Sequence, residues 1–188
     1  GGTNTAVGKA AMTTNTTGSQ NTAVGLSALQ NNTTASENTA VGYTSLLSNT
    51  TGTQNSAVGY NSLYSNTTGS YNTALGRASL LANTTGTHNS AVGRSALQNN
   101  TTGSYNTGLG MDAASSTTTG NYNVSIGFNA QATSATASEQ FTLGDSNISN
   151  LRCNDTSISS LSDSRDKTDV IDSPFGLDFI NTVRPVQF

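Results

Sequence analysis

The sequence predicts an all-β solenoid of 17-residue coils. The motif Asn-Thr-Ala-Val-Gly at residues 4–8 returns at this constant period in nine copies without an insertion, and only the last two copies diverge clearly. A short, fixed period is typical of stacked repeats in which each coil covers its neighbours. Strand-like alternation and turn residues at constant places in the repeat support the same fold.

The composition agrees with a thin repetitive structure rather than a compact domain. The chain has 188 residues, of which 9% are charged and 32% hydrophobic. Disorder is the first alternative, because Thr, Asn, Ser and Gly dominate. A disordered chain has no reason to keep an apolar residue at one repeat position nine times, so we favour the solenoid.

Each coil can be divided into elements by numbering the repeat from its Asn. Positions 2–5, Thr-Ala-Val-Gly, alternate as a strand does, and Asn-Thr-Thr-Gly at positions 12–15 is typical of a turn. We expect a second short strand near positions 7–10, since the few residues there are too short a segment for a stable helix. Stacking should place Val of position 4 and Leu of position 9 in internal ladders. The Asn residues of positions 1 and 12 should form amide ladders along the axis.

The repeat also indicates a second packed face. Positions 3 and 5 carry small residues, whereas position 6 carries residues that are large for full exposure to solvent: Leu26, Tyr43, Tyr60, Met111 and Phe128. Association into a homotrimer would bury both sets.

Along the chain we predict a repetitive shaft at residues 1–144, an extended and intertwined connector at 145–161, and a third, α-prone segment at 162–188. Gly1 occupies the repeat position of Gly18 and Gly52, so we expect further coils before it.

Charge and residue types exclude several classes of function. The shaft contains three cations and three anions: Lys9, Arg77, Arg94, Glu37, Asp112 and Glu139. A neutral shaft does not attract nucleic acid, and no apolar run is long enough for membrane insertion. With one histidine (His88) and one cysteine (Cys153), we expect no metal, no cofactor and no intrachain disulfide. The shaft's carboxylates are too far apart for a glycan-cleaving pair.

One surface stripe is a candidate for receptor contact. Position 17 carries aromatic residues in four successive coils: Tyr71, His88, Tyr105 and Tyr122. An exposed aromatic stripe can stack on sugar rings, and the alternative is ordinary packing between neighbouring coils. Paired threonines at positions 13 and 14, such as Thr50 and Thr51, offer a regular array that would suit an ice-binding solenoid.

The unit Asn-Thr-Ala-Val-Gly-x-x-Ala-Leu resembles the head repeats of trimeric autotransporter adhesins. The resemblance covers residues 1–144 and implies left-handed parallel β-rolls that lie side by side in a trimer. The family's unit is shorter than the repeat of this chain, and we expect the additional residues to enlarge the Asn-Thr-Thr-Gly turn.

A second resemblance begins at Ser162-Asp-Ser-Arg-Asp-Lys167 and continues through Gly176-Leu-Asp-Phe-Ile and Arg184-Pro-Val. These motifs resemble the start of the intramolecular chaperone at the C-terminus of phage tailspikes and tail fibres. The resemblance implies trimer assembly followed by self-cleavage between Leu161 and Ser162, with Ser162 and Lys167 as the catalytic pair. A hydroxyl needs a base to become a nucleophile, and a desolvated lysine can be that base. The alternative is a solvated turn in which Ser162 or Asp163 caps a helix.

Together these features predict a structural fibre protein on the extracellular virion tail. Its partners would be two further copies of itself, upstream tail proteins and a host-surface glycan or protein. Its only enzymatic step would be one self-cleavage, and residues 162–188 would then belong to an uncut chain, a truncated chain or a non-cleaving relative. A bacterial trimeric adhesin and an ice-binding solenoid are the alternatives.

Overall fold

The computed structural model describes residues 2–150. This segment contains nine strands of three residues: β1 (Thr5–Val7), β2 (Thr22–Val24), β3 (Thr39–Val41), β4 (Ser56–Val58), β5 (Thr73–Leu75), β6 (Ser90–Val92), β7 (Thr107–Leu109), β8 (Val124–Ile126) and β9 (Phe141–Leu143). The strands form one parallel sheet in chain order, and each residue pairs with its equivalent in the next coil, as Thr39 does with Ser56. The predicted all-β parallel solenoid is confirmed, and residues 2–150 contain no helix.

The strands place Ala, not Val, inside the coil. Ala57 is fully buried, whereas Val58 beside it is 37% exposed. The predicted internal Val ladder is therefore wrong, and so is the placing of the position-3 alanines on a second face. Fully buried leucines of position 9 fill the space opposite the strand: Leu29, Leu46, Leu63, Leu80 and Leu97. A Cβ added at Gly108 would lie 3.2 Å from Leu97 Cγ, so position 3 has room for little more than a methyl group.

The expected second strand at positions 7–10 is a tight turn instead. Positions 7 and 9 both have left-handed backbone conformation, for example Asn61 with φ 55° and Leu63 with φ 50°. Such residues cost about 1–3 kcal/mol each unless their surroundings hold them. Contacts with both neighbouring coils hold them here: Asn61 N donates to Tyr43 O at 3.0 Å, and Leu63 N donates to Ser79 O at 3.0 Å. Burial of the leucine side chain adds a further favourable term.

Position 5 is glycine in every coil because nothing else fits between the coils there. Gly76 has φ 139°, which side chains rarely allow, and its added Cβ would lie 2.4 Å from Gly93 O in the next coil. The same clash recurs along most of the shaft, which explains why this position never varies.

The two predicted amide ladders are confirmed, and they lie fully buried beside the leucines. At position 12, Asn66 Nδ2 donates to Asn49 Oδ1 of the preceding coil and to Gly69 O of its own coil, both at 2.9 Å. At position 1, Asn55 N donates to Asn38 Oδ1 and Asn55 Nδ2 donates to the same Gly69 O, both at 2.9 Å. One carbonyl thus joins both ladders within each coil.

The position-12 ladder ends between Asn100 and Thr117. Thr117 has no side-chain amide, so Asn100 Oδ1 and Thr117 Oγ1 are both buried without a hydrogen-bond partner in the protein. The two coils stay hydrogen-bonded to each other through the position-1 ladder, since Asn106 N donates to Asn89 Oδ1 at 2.9 Å. The coils therefore stay stacked at this junction, but they lack the position-12 side-chain hydrogen bond between them.

Candidate receptor-binding surface

The predicted aromatic stripe forms a continuous column on the surface of the solenoid. Tyr71, His88, Tyr105 and Tyr122 are all exposed, and successive ring centroids are 4.7, 4.8 and 4.9 Å apart. The rings are parallel within 3° to 16°. Stacking of rings in successive coils, the alternative interpretation of this stripe, is thus what the structure shows. Contact between the column and a receptor stays a prediction.

The backbone fixes each member of the column at a corner of its coil. All four residues have left-handed backbone conformation, with φ between 57° and 61°. Each amide donates to a carbonyl of the preceding coil, as Tyr105 N does to Thr87 O at 3.0 Å. The corner therefore repeats with the coil, and equivalent side chains are placed directly above one another.

Stacking determines which parts of the rings can meet a ligand. The faces of His88 and Tyr105 are covered on both sides by neighbouring rings, so these residues present their edges. Tyr71 and Tyr122 end the column, and each has one face that no aromatic ring covers. Those two faces are the only ring faces in the column that no other aromatic ring covers, and Gln54 and Glu139 are the next residues of the column beside them. The column's edge offers a row of hydrogen-bonding groups.

The position-17 column changes character along the shaft. On the N-terminal side it continues with Glu37 and Gln54, whose side chains are joined by a 2.7 Å hydrogen bond from Gln54 Nε2 to Glu37 Oε2. On the C-terminal side the exposed Glu139 follows Tyr122. The aromatic segment is therefore bounded by polar and acidic residues at both ends.

Only one threonine of each pair in the proposed ice-binding array is free to face outward. Thr50 Oγ1 donates to Thr67 O of the next coil at 3.0 Å, and Thr67 Oγ1 donates to Thr84 O at 3.1 Å. These position-13 side chains are half-buried, whereas Thr51 and its position-14 equivalents are exposed. The array consists of a single exposed column of threonines.

The outward side of the sheet is the feature that the sequence-based prediction misplaced. Apolar side chains of positions 4 and 6 line it, and the most exposed include Leu26, Tyr43, Val58, Tyr60, Leu75, Leu109, Met111 and Phe128. Tyr43 and Tyr60 stack at 5.1 Å, and the Arg77 guanidinium lies 5.7 Å from the Tyr60 ring centroid. Strict alternation within Thr-Ala-Val could have revealed this face, since burial of Ala requires exposure of Val.

No family model, curated protein or solved structure matches this chain. Proposals about its function therefore depend on the geometry of its own residues and on the motifs in its sequence.

The predicted self-cleavage site lies outside the described residues. Leu161, Ser162 and Lys167 all belong to the segment after residue 150, as does Cys153, and self-cleavage stays a prediction. Within residues 2–150 there is no cluster of residues able to hold a metal ion, no pocket, and no helix that could span a membrane.

Proposed function

We propose that this chain is a structural fibre protein of a phage tail, located outside the cell on the virion, which attaches to a host surface. The observation that supports this most directly is the in-register stacking of all nine strands. Every internal coil is hydrogen-bonded to both neighbours, as a stiff rod requires. The resemblance of residues 162–188 to tail-fibre chaperones adds the biological context, and upstream tail proteins would be the partners at the other end.

The same proposal makes the fibre a homotrimer whose subunits meet through the outward sheet face. The apolar ladder of position 4 and the apolar members of position 6, which Arg77 and Arg94 interrupt, would otherwise form an exposed patch along the rod, and such a patch is unusual for a monomer. Analytical ultracentrifugation should give a trimer for the wild type and for Tyr122→Glu. Leu109→Glu, which places a charge on the sheet face, should give monomers. A wild-type monomer at micromolar concentration would contradict the proposed assembly.

Host attachment would use the position-17 column. Its edge and its two end faces suit a hydroxyl-rich glycan or a polar protein surface, and the neutral shaft imposes no requirement for ligand charge. Labelled protein should adsorb to cells of the host species within a bacterial panel, and the double variant Tyr71→Ala/Tyr122→Ala should lose at least tenfold in adsorption. Tyr64→Ala, a tyrosine outside the column, serves as the matched control. Equal adsorption of all three proteins would remove the column from the attachment site.

Self-cleavage is tested by the intact mass of the chain expressed with its natural downstream residues. A product that ends at Leu161, present in the wild type and absent in Ser162→Ala and Lys167→Gln, is the expected result. Cleavage that persists in both variants would rule out the proposed catalytic pair.

Ice binding is the second candidate, because the position-14 threonines form a regular exposed column. It requires a measurable gap between the melting and freezing points of ice in the protein solution, and the lack of such a gap would end it. The bacterial adhesin alternative shares the shaft and requires a membrane anchor downstream instead of a chaperone, and the resemblance of residues 162–188 to tail-fibre chaperones argues against it.

A further inference from the structure

Two pairs of tyrosines in the shaft are stacked across neighbouring coils. Tyr105 and Tyr122 lie with ring centroids 4.9 Å apart and planes within 3°, and Tyr43 and Tyr60 lie 5.1 Å apart and within 6°. All four are exposed, at 47% for Tyr105 and 58% for Tyr122. Tyr71 has no such partner, because the ring of His88 stands between it and Tyr105.

We propose that Tyr105 and Tyr122 are a site of oxidative coupling to dityrosine, with a peroxide-driven one-electron oxidant as co-reactant. Each phenol gives one electron and one proton to the oxidant and becomes a neutral phenoxyl radical. The radicals join through a new bond between two ring carbons ortho to the oxygens. The hydrogen on each of those carbons then moves to its oxygen, which restores both aromatic rings. Two hydrogen atoms leave in total, and they reduce one hydrogen peroxide to two waters.

The geometry favours a link between Tyr105 and Tyr122 over links from either of them to another tyrosine. A phenoxyl radical is short-lived, so it couples most readily to a tyrosine that is already close. For a radical on Tyr105 or Tyr122, that tyrosine is the other member of the pair, one coil away. Both side chains stand at exposed corners, where rotation about the side-chain bonds can bring the ring edges together. Both backbones are held one coil apart by their amide bonds to Thr87 O and Ser104 O.

The position of the pair gives the cross-link a structural consequence. Tyr105 ends the coil that contains Asn100, and Tyr122 ends the coil that contains Thr117. Those are the two coils between which the buried amide ladder ends and two polar atoms lack partners. A dityrosine bond would therefore bridge a junction at which the buried amide ladder is interrupted, and would hold the two coils together covalently.

The test uses the full chain in a Tyr43→Phe/Tyr60→Phe background, treated with a haem peroxidase and hydrogen peroxide. We expect a single-chain product lighter by two hydrogen atoms, with dityrosine fluorescence. A protease that cuts before Asp112 separates Tyr105 from Tyr122, so in the product the two resulting peptides should remain joined. Tyr122→Phe should abolish this product, Tyr71→Phe should leave its yield unchanged, and His88→Tyr should add links within the column.

Several results would overturn the proposal. One is the absence of a joined peptide pair when the oxidant demonstrably cross-links a free tyrosine peptide. Another is an equal loss of yield in Tyr71→Phe and Tyr122→Phe. A third is the same pattern of links in the chain denatured before oxidation, since that would show that stacking does not select the pair.

Discussion

Replacing Thr117 by Asn should extend the position-12 amide ladder by one coil and stabilise the C-terminal end of the shaft. In the regular coils, each Asn of this position donates both to the preceding Asn Oδ1 and to a carbonyl three residues later, as Asn100 does to Asn83 Oδ1 and Gly103 O at 2.9 Å. An Asn at position 117 would occupy the equivalent place. Its Nδ2 would reach Asn100 Oδ1, which has no partner, and Gly120 O.

The magnitude follows from the groups that gain partners. A buried acceptor without a partner costs about 1–3 kcal/mol, and a made hydrogen bond contributes about 1 kcal/mol net. The new side chain must be ordered, and its own Oδ1 becomes the end of the ladder beside Ser134. We therefore expect a net stabilisation of about 1–2 kcal/mol at this junction, which corresponds to a roughly tenfold smaller equilibrium constant for local opening.

Amide hydrogen exchange is the appropriate assay, because coils of a repeat array need not unfold as one unit. Thr117→Val is the matched control, since it removes the unpartnered hydroxyl with little change in volume and leaves Asn100 Oδ1 unpaired. The amides of coils 6–8 (residues 89–139) should be better protected in Thr117→Asn than in Thr117→Val. The reciprocal variant Asn66→Thr, which interrupts the ladder in mid-shaft, should lower protection there by about 2–4 kcal/mol. Equal protection in the Asn and Val variants would refute the idea that the ladder bond stabilises this junction.

Three further predictions concern the inside of the coil. Ser125→Ala should stabilise the shaft by about 1 kcal/mol in denaturant unfolding, because Ser125 Oγ is buried without a hydrogen-bond partner. The control Ser79→Ala should not stabilise the shaft, because it removes a 2.9 Å hydrogen bond from Ser79 Oγ to Gly76 O. Gly76→Ala should cost at least about 3 kcal/mol or prevent folding, since its Cβ would lie 2.4 Å from Gly93 O, and circular dichroism would report the loss. In the monomeric Leu109→Glu background, Leu63→Ala should lower the free energy of unfolding by about 2–5 kcal/mol, a much larger effect than that of Val58→Ala on the outward face of the same coil. Similar values for both would contradict the assignment of inside and outside.

The period of the sequence was sufficient to predict the architecture. An unbroken, constant spacing leaves parallel, in-register stacking as the simplest arrangement, and it brings Asn onto Asn and Tyr onto its neighbour in the next coil. The amide ladders and the aromatic column both follow from that single fact. Neither requires knowledge of how the chain runs within one coil.

The course of the chain within a coil was not predictable in the same way. Alternation in Thr-Ala-Val allows either Ala or Val to face the inside of the coil. Hydrophobicity favoured Val, which was wrong, because the sequence does not give the size of the space opposite the strand. Position 9 gave no warning of left-handed conformation, since Leu63 and its equivalents normally avoid it. At position 7 the signal was mixed, because Asn61 and Asp112 tolerate this conformation but Thr44 and Ala78 normally avoid it. Tertiary hydrogen bonds and burial, which sequence does not display, decide both cases.

The repeats themselves distinguish scaffold from recognition surface, because each coil is an independent version of the same structure. Positions whose side chains enter the stack hardly change: Asn at position 1, Gly at position 5 and Leu at position 9 recur through most of the shaft. Positions 6 and 17 face outward and change freely, with Lys9, Tyr43 and Arg77 at one and Glu37, His88 and Tyr122 at the other. The stacking of coils within one chain thus places little demand on these side chains, and contact with another subunit or with a partner is free to select them. A rod built in this way can acquire a new surface chemistry by changing outward residues while its buried ladders stay the same.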